Sequence, residues 1–279
     1  MKTADAQVSG GSNPSLSAIF FVEPGGAMKE LDGIKVKSLH RALVILEYFD
    51  RDNPERGISE IVRASGMLKS TVYNIVSTFT KCGYLEKNPA TGKYRLGTKI
   101  LELSNVFQNS DEKPKILKPY MDRLAEECNE TVYFAIPAHT EAIYIYSAHP
   151  KGMTFTRSIV GVKVKLYCTG VGKAMLAHCD ENILSQVIAD GLQPFTNNTI
   201  TNENDLRADL EQIRRRGYAI DNMEHEYGIS CVSVPVININ DAIVGSLSIS
   251  GPSLRIDEKI ELFSSLLINT ANEVKMLLK

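Results

Sequence analysis

The sequence predicts an α+β protein in two parts, a compact helical block closed by a hairpin and a longer block that mixes helices with an antiparallel sheet. Three observations carry this reading. Apolar residues recur at helical spacing from residue 36 and then give way to short strands before residue 97. Beyond residue 113 helical and alternating patterns interleave, and a strong hairpin precedes a terminal amphipathic helix. The 279 residues are about twice a usual domain, and 43% hydrophobic with 23% charged residues is a globular balance.

In the first block, Leu39, Leu43, Leu46 and Phe49 mark a helix with Ser38 as its N-cap. Asn53, Pro54 and Gly57 form a turn, after which Ser59 caps a brief helix over Ile61, Val62 and Ala64 that stops at Gly66. A third helix starts at Lys69 or Ser70, buries Val72, Ile75, Val76 and Phe79, and ends at Gly83. Residues 84–86 and 93–96 read as strands around an Asn88-Pro89-Ala90-Thr91-Gly92 turn. Thr98 then caps a helix carrying Ile100, Leu101, Leu103, Val106 and Phe107. The expected organisation is a disordered tail over 1–32, the compact block over 33–97, a linker helix over 98–112 and a second domain over 113–279.

The second domain is expected to hold a helix over 119–129, strands over 131–137 and 141–148, a helix over 172–178 and then polar turns. Strands over 228–236 and 243–250 flank an Asn238-Ile239-Asn240-Asp241 turn, and a helix covers 257–278. Ser246, Ser248 and Ser250 alternate with Leu247 and Ile249, which puts the three hydroxyls on one sheet face.

Helix, helix, tight turn, helix, hairpin is the order of a winged helix-turn-helix DNA reader. Its second helix would present Lys69, Ser70, Thr71, Tyr73, Asn74, Ser77 and Thr78 to the major groove, where Asn pairs with adenine and hydroxyls read either strand. Lys87, Lys93, Tyr94 and Arg95 on the hairpin would hold the DNA backbone or a minor groove. Charge agrees: residues 33–97 carry eleven Lys and Arg against six Asp and Glu, a local +5 in a chain of net −2.

Other classes fit poorly. Five cysteines at wide spacing, without a C-x-x-C pair, point to reduced thiols and a cytoplasmic setting. No apolar run approaches the roughly 20 residues that span a bilayer. No metal or cofactor motif is expected: Tyr167 and Ala174 break a Walker loop, and Met175 breaks a dinucleotide fingerprint. The 169–173 turn still opens a helix whose N-terminus can receive a carboxylate, unless it is simply a tight structural turn. A thiol enzyme using Cys231 with His225 is the competing class, the pair lying six residues apart in sequence.

Ser38-Leu39-His40-Arg41-Ala42-Leu43, Leu68-Lys69-Ser70-Thr71-Val72-Tyr73, Gly92-Lys93-Tyr94-Arg95-Leu96-Gly97, Gly170-Val171-Gly172-Lys173-Ala174 and Glu224-His225-Glu226-Tyr227-Gly228-Ile229-Ser230-Cys231 together resemble the IclR family of bacterial transcriptional regulators. The resemblance implies a non-enzymatic regulator, commonly a repressor, with an N-terminal winged helix, a linker helix and a GAF-like effector domain. It implies a homodimer or homotetramer on near-palindromic double-stranded operator DNA, with an effector in the second domain. Hydroxyls and helix N–H groups suit a small organic acid there, and Asp221, which repels a carboxylate but accepts from a hydroxyl, favours a hydroxy or oxo acid. By the same resemblance, Gly170, Val171, Asp221, Cys231, Ser248 and Ser250 line the effector pocket, with Met153 and Thr156 in its wall. Two positions depart from the family pattern: Asn74 stands where Arg is frequent, and Met67-Leu68 where Leu-Pro is usual.

Overall fold

The computed structural model describes residues 34–278 apart from 111 and 153–158, together with the backbone of 21–22 and 28–29. Within the stretch read as a tail, β1 (Phe21–Val22) and β2 (Met28–Lys29) pair antiparallel. The chain divides into two compact units, Met1–Gln108 and Asn109–Lys279, a boundary that falls inside the segment read as a linker helix.

The first unit contains α1 (Lys37–Glu47), α2 (Ile58–Ser65) and α3 (Lys69–Lys81), followed by a hairpin of β3 (Leu85–Lys87) and β4 (Tyr94–Leu96). Ile45, Tyr48, Ile61, Val72, Val76 and Leu85 form its core. Two caps differ from expectation. Val36 rather than Ser38 precedes α1 and makes no side-chain cap, while Gly57 rather than Ser59 precedes α2. There the Glu60 carboxylate accepts the Gly57 N–H at 2.6 Å, a favourable place for negative charge because it faces the unpaired amides of a helix start. Gly66 closes α2 at φ +66°, a left-handed conformation that glycine reaches without a Cβ penalty, and this turns the chain directly into α3. Arg56 and Tyr94 exchange two backbone hydrogen bonds at 2.9 Å, tying the hairpin to the segment before α2. α4 (Thr98–Ser110) follows.

The second unit is a six-stranded antiparallel sheet in the order β7-β6-β5-β10-β9-β8. Its strands are β5 (Thr131–Ala138), β6 (Glu141–Ala148), β7 (Lys163–Lys165), β8 (Ala219–Asn222), β9 (Ile229–Ile237) and β10 (Ile243–Pro252). One face packs on α5 (Lys113–Cys128) and α10 (Ile260–Lys275) through Leu117, Met121, Phe134, Leu247, Ile249 and Leu267. The other packs on α6 (Gly170–Leu176), α7 (Glu181–Ala189) and α8 (Glu203–Arg216) through Met175, Leu184, Leu206 and Leu210.

Several expectations are corrected. α5 begins six residues before the expected start and passes through Pro119, because its stripe of Leu117, Met121 and Leu124 is buried and outweighs the missing N–H. The polar turns expected after residue 178 are α7 and α8. The terminal helix is broken at Glu258–Lys259 into α9 (Ser253–Asp257) and α10.

Candidate functional site

In the first unit, the amphipathic pattern of α3 turns Val72 and Val76 into the core and leaves Lys69, Ser70, Tyr73, Asn74 and Thr78 exposed, with Thr71 and Ser77 half-buried. Leu68 at the N-cap offers no side-chain oxygen, so the first amides of α3 are open to a phosphate. Thr78 donates its hydroxyl to the Asn74 backbone carbonyl at 2.8 Å, and Asn74 is exposed on the helix.

The hairpin is less available than its composition suggests. Lys93 pairs with Glu60 at 2.9 Å and Arg95 with Glu86 at 2.6 Å, while Glu55 accepts from Asn88 at 2.7 Å and Thr91 at 3.0 Å. Lys93 thereby ties the wing to α2 and Glu55 ties its turn to the segment before α2, while the Arg95–Glu86 pair lies within the hairpin. Lys87 is exposed, with its ammonium 5.8 Å from the Tyr94 ring centroid.

In the second unit, a cavity of about 390 Å³ opens over the polar face of the sheet. Register builds that face in two rows: Asp221 lies opposite Cys231, which lies opposite Ser250, and Ala219 opposite Ser233, which lies opposite Ser248. Asp221, Cys231 and Ser250 line the cavity, as do Tyr133, Tyr144, Thr169, His225 and the pair Glu130 and Arg255. Ser248 is buried at the sheet and Gly170 and Val171 lie buried in α6, behind the lining. Met153 and Thr156 lie outside the described residues.

Gly170 is where the sheet and α6 touch. A Cβ there would sit 2.5 Å from Ser233 Oγ and 2.6 Å from Cys231 Sγ. The amides that the sequence leaves for an anion have protein partners: Gly172 N–H donates to the Thr169 hydroxyl at 3.2 Å, and the Gly170 N–H faces the Cys231 sulfur. Lys173, the fourth residue of α6, is buried with its ammonium 2.8 Å from Asp209 and 2.5 Å from Glu224. The other Glu224 oxygen has no hydrogen-bond partner among the described residues. The Glu224 backbone N–H in turn donates to Asp221 Oδ1 at 2.7 Å, so the cavity floor and the buried ion cluster share one short loop.

Burial pushes the Asp221 carboxyl up to about 7, with the nearby Glu224 charge adding to it and the Glu224 backbone N–H, the Lys173 charge and the His225 backbone N–H opposing it. Burial also pushes the Cys231 and Cys168 thiols up to about 12 each. His225 Nδ1 faces the Cys168 sulfur at 3.9 Å. Neither thiol has the low pKa a thiolate nucleophile needs. Among the described residues no group of His, Cys, Asp and Glu could hold a metal ion, and no helix is long and apolar enough to cross a membrane.

Sequence reasoning missed Tyr133, Tyr144, Glu130 and Arg255. The two tyrosines could have been found from strand alternation, since each shares a face with a small buried alanine, Ala135 or Ala142. Glu130 and Arg255 are 125 residues apart and meet only in the fold.

Two family models match the chain: the IclR helix-turn-helix domain over residues 38–89 and the bacterial transcriptional regulator IclR C-terminal domain over 112–276. The HTH-type transcriptional regulator XynR of Escherichia coli is 32% identical over 225 residues, covering 80% of this chain and 89% of that protein. The transcriptional repressor IclR of the same organism is 28% identical over 246 residues, covering 87% and 90%. In fold, the chain resembles an IclR homologue from Microbacterium hydrocarbonoxydans crystallised with 4-hydroxybenzoate, with a TM-score of 0.71, 22% identity and 85% and 97% coverage. With both of its units matched in order, the chain belongs to the IclR family of bacterial DNA-binding transcriptional regulators.

Proposed function

We propose that the protein is a cytoplasmic, ligand-responsive repressor that binds a near-palindromic operator and loosens or tightens its grip when a small organic acid enters the second unit. It performs no catalysis. The observation that carries this reading is a pair of separate sites: an exposed polar helix face built for a groove, and a polar-floored cavity in the other unit. Lys69, Ser70, Thr71, Tyr73, Asn74, Ser77 and Thr78 meet bases and phosphates, and Lys87 a neighbouring phosphate. Lys93 and Arg95 must exchange Glu60 and Glu86 for DNA, so they contribute less.

In the cavity, Asp221, Cys231 and Ser250 contact the acid, with Gly170, Val171 and Ser248 shaping the floor from behind. Met153 and Thr156 are assigned to the wall from the family pattern. A carboxylate and hydroxyl of the size of the 4-hydroxybenzoate bound by the homologue suit such a volume. Repression follows the named relative. A ligand controls DNA affinity only by binding one arrangement of the oligomer better than another.

Gel retardation on the promoter adjacent to the gene, with and without a panel of sugar, aromatic and short oxo acids, tests the reading. We expect one fragment to be retained over random competitor at moderate salt and one acid to change its affinity. Equal affinity for every fragment overturns the DNA assignment, and retention that no panel acid changes overturns the effector assignment.

A further inference from the structure

One row of side chains crosses the cavity floor from strand to strand. Thr131 of β5 lies opposite Ser250 of β10, Ser250 opposite Cys231 of β9, and Cys231 opposite Asp221 of β8, and all four line the cavity. With adjacent strands about 4.8 Å apart, the row runs about 14 Å from end to end. Its two ends differ in charge. Asp221 closes one end, where the backbone N–H groups of Glu224 and His225 fill two of the roughly four lone-pair positions of a carboxylate and leave it able to accept further. Arg255 stands at the other end, paired with Glu130, the residue before Thr131.

Arg255 is held there by the fold. Glu130 is 3% exposed, and a Cβ at Gly251 would sit 2.5 Å from its Oε2, so the glycine makes room for this carboxylate. Glu130 accepts from Nε and Nη2 along one edge of the guanidinium, at 2.5 and 2.9 Å. The edge formed by Nη1 and the second Nη2 proton is not used by Glu130, and its spacing matches another carboxylate.

We infer that the effector is a hydroxy acid lying along this row, its carboxylate on the outer edge of Arg255 and its far hydroxyl donating to Asp221. This rests on the organic-acid reading of the cavity given above and adds an orientation and a length to it. With a hydrogen bond of about 2.8 Å at each end, the ligand's carboxylate and hydroxyl stand roughly 6–9 Å apart. An aromatic acid with its hydroxyl opposite the carboxylate, or an extended sugar acid, spans that distance, whereas a short oxo acid reaches one end only. The middle of such a ligand is carbon, and the cavity supplies the tilted rings of Tyr133 and Tyr144 together with Val162, Val164 and Ile229. Like charges are also kept apart, because the anionic end lies a full ligand length from Asp221.

The test is calorimetric titration of the full-length protein at pH 8 with gluconate, 2-oxobutyrate, 4-hydroxybenzoate, benzoate and 4-hydroxybenzamide, the last two lacking the hydroxyl and the charge respectively. At least one of 4-hydroxybenzoate and gluconate should bind about tenfold or more tightly than 2-oxobutyrate, and 4-hydroxybenzoate should exceed both of its analogues by a similar factor. R255Q should remove the preference for the acid over the amide while leaving the amide's Kd in place, an outcome that a purely structural role for Arg255 does not produce. Because R255Q leaves Glu130 buried without its cation, the E130Q/R255Q double variant, which removes both charges, is titrated beside it. D221A should remove the preference for 4-hydroxybenzoate over benzoate. If the double variant still prefers the acid to the amide, if D221A still prefers the hydroxylated ring, or if 2-oxobutyrate binds as tightly as the longer acids, the inference is overturned and the acid effector stands. If none of the acids binds at millimolar concentration, the organic-acid reading fails and the inference fails with it.

Discussion

Asp221 carries an acid whose ionisation opposes folding. Its folded value of about 7 lies above the ordinary carboxylate value near about 4, so between these limits the folded chain holds a proton that the unfolded chain releases. The stability it contributes is therefore full at low pH and is lost as pH rises through about 7. Asp221→Asn should stabilise by on the order of 2–4 kcal/mol at pH 8 and by little at pH 4. Urea melts at both pH values decide this, and a gain that does not change with pH would contradict the burial argument. Lys173 makes the reverse case. Lys173→Met leaves Glu224 and Asp209 buried without their cation, and a loss of about 3–5 kcal/mol is expected in the same melts. An effect below about 1 kcal/mol would mean that water reaches the carboxylates. The Gly170-Val171-Gly172-Lys173-Ala174 segment was recognisable in sequence, but the burial of Lys173 was not, because its partners lie 36 and 51 residues away.

At the scale of elements, α3 was legible because one short helix must bury Val72 and Val76 and therefore exposes the side chains between them. Lys69→Ala should weaken all DNA fragments alike and lower the slope of log affinity against log salt by about 0.9. Asn74→Ala should relax preference at one base position while leaving that slope in place. Fluorescence titrations against an operator and its single-base variants, each over a salt series, separate the two. A uniform loss for Asn74→Ala would assign it to the backbone instead. α8 was missed although its local signals are present. Asn202 caps it by accepting from the Asp205 N–H at 2.9 Å, Leu206, Leu210 and Ile213 form its buried stripe, and Gly217 ends it at φ +84°. Eight charged residues in that helix mask this stripe in composition, which is why the segment reads as polar turns. α5 hid for a different reason: Pro114 sits in the first turn, where proline is tolerated, but Pro119 looks like a stop until the buried face around it is known.

On the scale of the whole molecule, α4 exposes Leu101, Leu103 and Val106, with Leu101 71% and Val106 64% exposed in the single chain. Water-facing side chains of this size on one helix suit contact with a second copy, which the proposed palindromic operator also requires. The double substitution Leu101→Glu with Val106→Glu should shift sedimentation toward monomer and lower operator affinity by more than tenfold, because one half-site is then bound alone. Unchanged sedimentation would move the interface elsewhere. What the sequence determined by itself is the order of elements and the class of the protein: hydrophobic period, caps and turn glycines act over a few residues, and each leaves its mark locally. Only the tertiary structure decided the state of the charges. Whether Lys93 and Arg95 face phosphate or Glu60 and Glu86, whether Lys173 is a surface cation or a buried tie, and whether Asp221 ionises all depend on partners brought from distant segments and on water removed by packing. Electrostatic energy follows distance and burial in space, and a linear chain specifies neither until it is folded.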